Sequence, residues 1–150
     1  KLPQGITHLT FGDEFNQDIS FLPHTITHLT LGFEFDQQCN ILSNVKYLKL
    51  NCDNQYLIDS LPNSVIELEL DVDKLQINNL PTSIRKLVID KDSEYDEDLN
   101  CLPISIEELH LNESYVKRIL CIPPNLKKIV CAKNYPYIDD FKMCKVETIS

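Results

Sequence analysis

A ten-residue phrase stands twice near the start of the chain: Leu2-Pro3 leading to Ile6-Thr7-His8-Leu9-Thr10-Phe11, then Leu22-Pro23 leading to Ile26-Thr27-His28-Leu29-Thr30-Leu31. It generalises to apolar-x-x-apolar-x-apolar. The full copies are Ile6/Leu9/Phe11, Ile26/Leu29/Leu31, Val45/Leu48/Leu50, Val65/Leu68/Leu70, Ile84/Leu87/Ile89, Ile106/Leu109/Leu111 and Leu126/Ile129/Cys131, and Val146 with Ile149 opens an eighth. Their first positions advance by 20, 19, 20, 19, 22, 20 and 20 residues. A unit of that size cannot bury its apolar side alone, so it must stack on its neighbours as a solenoid.

In most copies the last two apolar residues alternate with a polar one, which is strand periodicity. Leu-Pro or a variant precedes the strand at Leu2-Pro3, Leu22-Pro23, Leu61-Pro62, Leu80-Pro81, Leu102-Pro103 and Ile122-Pro123, with Leu42-Ser43 in the third copy. Proline fixes its own φ and donates nothing to a ladder, so it suits the corner before a strand. Four residues beyond the strand an aromatic returns inward at Phe15, Phe35, Tyr115 and Tyr135. The pattern predicts a β-rich, right-handed repeat solenoid of about seven coils, residues 1–150 forming one domain. Its parallel strands, roughly 4.8 Å apart, line the concave side, and the return arms are extended or irregular.

Charge and composition exclude several classes. The net charge of −9 opposes the phosphate neutralisation that drives nucleic-acid binding, and repels an anionic membrane. No apolar run is long enough to span a bilayer. The chain opens at a repeat boundary without a secretory signal and ends part-way through a motif, so it reads as a segment of something longer. Six cysteines, at 39, 52, 101, 121, 131 and 144, match no disulfide framework or zinc motif and read as reduced thiols of a cytoplasmic protein.

The first copy, continued through Gly12-Asp13-Glu14-Phe15-Asn16-Gln17-Asp18-Ile19, resembles the FNIP repeat of amoebae and giant viruses, a short leucine-rich-repeat-like unit. Repeat two keeps Phe35-Asp36-Gln37; later copies keep the strand and lose this segment. Ile122-Pro123-Pro124-Asn125-Leu126-Lys127-Lys128-Ile129 is more weakly similar to Leu-Pro-type repeats of bacterial effectors. The FNIP resemblance implies a protein-recruiting solenoid, and an F-box ahead of the repeats would make it the substrate arm of a ubiquitin ligase, in the host cytoplasm if viral.

The outward strand positions are the expected binding surface. The third positions of the copies are His8, His28, Tyr47, Glu67, Lys86, Glu108, Lys128 and Thr148; the fifth are Thr10, Thr30, Lys49, Glu69, Val88, His110, Val130 and Ser150. The expected partner contacts are His8, His28, Tyr47, Lys49, Glu67, Glu69, Lys86, Glu108, His110 and Lys128, with Tyr47 the principal anchor. Signs alternate along the third position through Glu67, Lys86, Glu108 and Lys128, and along the second through Arg85, Glu107, Lys127 and Glu147. Such ladders stabilise the stack as well as offering a mixed-sign docking surface.

Other constellations carry less. His8 and His28 fall one strand apart, but Tyr47 occupies the next equivalent place, so a metal lacks its third ligand and none is expected. Cys101 and Cys121, each just before a Leu-Pro-type corner, read as a ladder of free thiols. The acids at 90, 92, 94, 96, 97 and 98 fall in the copy with the longest step; without the glycine of a calcium loop they read as solvated. No phosphate loop, nucleophile elbow or metalloprotease motif occurs, and no cofactor is implied. The expectation is a non-catalytic protein–protein interaction module, with a self-associating virion or scaffold component, joined through uncapped ends, as the alternative.

Overall fold

The computed structural model describes residues 2–41 and 43–149; the expected roles of Leu42 and Ser150 fall outside them. Eight parallel strands form a single sheet in strict chain order: β1 (His8–Thr10), β2 (His28–Leu31), β3 (Tyr47–Leu50), β4 (Glu67–Leu70), β5 (Lys86–Ile89), β6 (Glu108–His110), β7 (Lys128–Ala132) and β8 (Lys145–Ile149). Parallel neighbours need a crossover, and here each crossover is one return arm of the solenoid. The second apolar residue of every copy forms one ladder, Leu9–Leu29–Leu48–Leu68–Leu87–Leu109–Ile129, which Val146 completes. From Leu29 to Ile129 these side chains are buried, whereas Leu9 at the open end is half-buried and Val146 is exposed.

Local bonds set the corners. The amide of the first apolar residue donates to the proline carbonyl three residues earlier at Ile26, Val65, Ile84, Ile106 and Leu126. Beyond the strand a second turn of the same kind swings the aromatic inward, as Phe35 N donates to Gly32 O and Tyr135 N to Ala132 O. Phe35, Tyr115 and Tyr135 are buried and Phe15 half-buried, as the pattern predicts. Tyr95 joins them unannounced by the spacing, fully buried because the long copy alternates Ser93, Tyr95 and Leu99 inward against its outward acids.

Polar side chains tie coil to coil. The hydroxyls of Tyr95, Tyr115 and Tyr135 donate to the carbonyls of Leu75, Glu97 and Lys117 in the preceding coil, at 3.0, 3.1 and 2.7 Å. The buried amides of Asn54 and Asn112 do the same: Asn54 Nδ2 donates to Gln37 O at 3.1 Å, and Asn112 Nδ2 to Ser93 O at 2.8 Å and Tyr95 O at 3.1 Å. Unpaired buried backbone oxygens are costly, and these donors satisfy them where no strand does. Asn54 also caps the one α-helix of the described residues, α1 (Gln55–Asp59), which buries Leu57 and Ile58 on a return arm otherwise extended or turned.

The eighth copy departs from the expected register. Val146 pairs with Ile129, not with Leu126, so Lys145 and Glu147, not Thr148 and Ser150, take the outward third and fifth positions. A 3₁₀ turn, Ile138–Phe141, shortens the last return by driving Phe141 into the core, and Cys144 N closes back on Phe141 O.

Candidate functional site: the outward strand face

The period-two alternation that buries the leucine ladder points the intervening residues outward on the opposite face of the sheet. All ten expected contact residues stand on that face. One row runs His8–His28–Tyr47–Glu67–Lys86–Glu108–Lys128 and ends at Lys145; the other runs Thr10–Thr30–Lys49–Glu69–Val88–His110–Val130 and ends at Glu147.

The first row begins as a stack of rings. His8 and His28 lie with centroids 3.8 Å apart and planes 15° from parallel; His28 and Tyr47 follow at 4.1 Å and 13°. In-register parallel strands bring equivalent side chains to this spacing, so the stack is a direct product of the repeat. Each imidazole is steered by the threonine before it: Thr7 Oγ1 to His8 Nδ1 and Thr27 Oγ1 to His28 Nδ1 are both 2.9 Å. Burial holds the His28 pKa below its ordinary value of 6.5; His8 adds to that depression and Glu67 opposes it.

From β4 onward the rows become ion pairs. Lys86 meets Glu67 at 2.8 Å, Lys49 meets Glu69 at 2.6 Å and Asp90 at 3.7 Å, and Lys128 bridges Glu108 at 3.2 Å and Glu147 at 2.9 Å. His110 Nε2 lies 2.5 Å from Glu108, and the second positions add Lys127 to Glu107 at 2.6 Å and Arg85 to Glu107 at 3.5 Å. Bonds to Glu69 and Glu67 raise the Lys49 and Lys86 pKa values against the opposing effect of burial. Burial pushes the Glu108 carboxyl up, but the bonds from His110 and Lys128 outweigh it and leave the pKa lowered. Bonds from Lys145 and Lys128 draw the Glu147 pKa to about 2. The sign alternation read from the sequence thus forms pairs at Glu67–Lys86, Glu108–Lys128, Arg85–Glu107 and Glu107–Lys127, but not at Lys86–Glu108, and Glu147 answers Lys128 and Lys145 instead of Lys127.

A shallow depression of about 260 Å³ lies where the two regimes meet, lined by His28, Thr30, Tyr47, Lys49, Glu67 and Glu69. A feature the sequence reading missed flanks the strand exits: Phe33, 72% exposed, stands among Asp13, Asp53, Asp71 and Asp73. Burial, Asp90 and the neighbouring acids raise the Asp71 pKa against Lys49. The available signal was an aromatic at a position that other copies fill with polar residues or small apolar ones. Among the described residues no group of three His, Cys, Asp or Glu could hold a metal, and no helix is long and apolar enough to cross a membrane. All six cysteines are free; Cys101 and Cys121 are exposed.

A parallel sheet with one strand per coil and a buried leucine ladder defines a leucine-rich-repeat-like repeat protein. Within that class the model of the FNIP repeat matches residues 1–34 and 35–71, so through that span the chain is similar to FNIP-repeat proteins. The chain is also similar to the crystal structure of CroV588, described as a novel circular LRR protein: 87% of this chain is covered at 28% identity, with a TM-score of 0.63. It spans 21% of the length of that protein. No curated protein matches the sequence.

Proposed function

We propose that the chain is a non-catalytic recognition module that binds a protein partner on the outward strand face, taken as the concave side of the solenoid. One observation carries the reading: the registered sheet gathers side chains from eight distant segments into one continuous polar surface. Its titratable groups from β4 onward pair with one another as ion pairs, which suits docking better than chemistry. Tyr47, 40% exposed at the edge of the shallow depression, is the anchor. Affinity capture with the intact chain against a Tyr47→Ala/Glu69→Ala variant tests this; a partner recovered equally by both would show that the face has been misassigned.

The FNIP match supports a narrower form, in which the repeats recruit substrates for an F-box ubiquitin ligase in the cytoplasm of an amoeba or of a virus-infected host. An F-box encoded upstream in the same reading frame, and ubiquitin-ligase components in the captured material, are the expected findings. Self-association is the second reading, supported by the half-buried Leu9 and exposed Val146 at the free edges β1 and β8. Sedimentation that shows a monomer at high concentration would remove it.

A further inference from the structure

Deepening the face reading above, we propose that the His8–His28–Tyr47 row receives the carboxylate side chains of an acidic, extended segment of the partner protein. The argument begins with proton placement. Thr7 O already accepts from the amides of Thr27 and His28 at 2.8 and 3.0 Å, and its 3.3 Å approach to the Thr27 hydroxyl is the longest of the three. We assign the Thr27 proton to the shorter of its two contacts, His28 Nδ1 at 2.9 Å, over Thr7 O at 3.3 Å. Among the described residues the Thr7 hydroxyl meets no acceptor but His8 Nδ1. With Nδ1 accepting, the neutral ring carries its proton on Nε2, and a protonated ring carries one there too. Both histidines thus present Nε2–H as a donor in either charge state. Ring centroids 3.8 and 4.1 Å apart set these donors and the Tyr47 hydroxyl in a close row.

Apart from Glu67, which Lys86 holds, the charged side chains facing this row are cationic. The outward strand positions of the first three coils hold Thr, His, Tyr and Lys and no carboxylate. The nearest acids on the face, Glu67 and Glu69, are held by Lys86 and Lys49. Lys46, exposed at the strand entrance beside Tyr47, has no ion pair among the described residues. The acids of these coils, Asp13, Glu14, Asp18, Glu34, Asp36, Asp53 and Asp59, all lie beyond the strand ends, at the exits or on the return arms. A carboxylate-bearing segment therefore approaches from the Lys46 side. Screening over about 8 Å at physiological salt limits repulsion from the far edge.

The row is also graded by pH. The charged and titratable groups facing it are His8, His28, Lys46, Lys49 and Glu67. Burial delays protonation of His28, so its charge is added below the ordinary histidine range while glutamates of the segment remain ionised.

The test uses a fluorescent peptide of alternating Glu and Thr, with Gln-Thr and Lys-Thr peptides as controls, read by anisotropy and by the imidazole NMR signals of the wild-type chain. The Glu-Thr peptide is expected to bind, shift both imidazoles, weaken about tenfold in a His8→Ala/His28→Ala variant, and tighten as the pH falls below 6.5. Equal binding of the Glu and Gln peptides, preference for the Lys peptide, or unmoved imidazoles would overturn the proposal. A captured partner lost by Tyr47→Ala/Glu69→Ala but neither lost by the histidine variant nor displaced by the Glu-Thr peptide would leave the face reading standing and remove only this one. Recovery unchanged by every variant would remove both.

Discussion

The strand face consists of two regions built on one backbone that do opposite things with their side chains. Over β1 to β3 the outward rows stack rings and threonines and, Lys49 apart, leave donors unspent. From β4 to β8 lysines and glutamates bind one another across neighbouring strands, so the surface is charged but largely satisfied. The repeat dictates spacing and direction in both; only the residue types in two columns decide whether a coil stabilises its neighbour or stays available. On the proposed reading, the binding surface lies where the ladders fail to neutralise themselves.

The comparison breaks most severely if its shared floor is removed. Leu68, fully buried beneath the junction, is expected to cost about 3–4 kcal/mol as Leu68→Ala, with both regions melting together by tyrosine fluorescence and backbone NMR. Leu9→Ala, at the half-buried end, should cost markedly less and disturb the histidine stack alone. Next comes the close approach of the first two coils: a Cβ on Gly32 would run into the Gly12 carbonyl and Asp13 backbone. Gly32→Ala should therefore destabilise by about 1–3 kcal/mol in denaturant melts and loosen the ring stack without touching the ion pairs.

Smaller effects sharpen the contrast. Ser105 Oγ donates to Ile84 O at 2.7 Å, whereas the equivalent Ser83 hydroxyl is buried without a partner. Ser105→Ala is expected to cost about 1 kcal/mol and Ser83→Ala close to nothing, as read by the denaturation midpoint. A double-mutant cycle on Glu67 and Lys86 should give a coupling of about 0.2–1 kcal/mol that fades in high salt.

Acid should separate the regions. The His28 pKa is depressed on folding, so the stability tied to it is present above 6.5 and lost as pH falls from there through the lower folded-state value. The Glu108 and Glu147 pKa values are lowered from 4.5, so their contribution persists until much lower pH, through about 2 for Glu147. Residue-resolved NMR across the titration should show the ring stack changing first; simultaneous loss of both regions would contradict the division.

The leucine ladder, the proline corners and the outward rows were legible in the sequence because apolar alternation maps directly onto a pleated strand. What escaped had a different physical origin. The apolar motif at Val146 and Ile149 gives no hint of a 3₁₀ turn that takes up part of the return and moves β8 by three residues. Tyr95 was hidden by two additional residues in its copy. Asn54, Asn112 and Ser105 were passed over because a search for apolar periodicity does not count polar residues, although their task is to satisfy carbonyls that the same periodicity buries. The equivalence of His8 and His28 was visible, but their chemistry was not: adjacent threonines and a third ring turn a would-be ligand pair into a row of donors.

The tyrosine hydroxyls at 95, 115 and 135 share a direction as well as a role, each reaching back one coil to an oxygen nearer the N-terminus. During synthesis that direction coincides with the order in which coils leave the ribosome. Each arriving tyrosine finds its acceptor already made, so these latches allow the growing rod to be fastened from the oldest coil to the newest without waiting for the end of the chain.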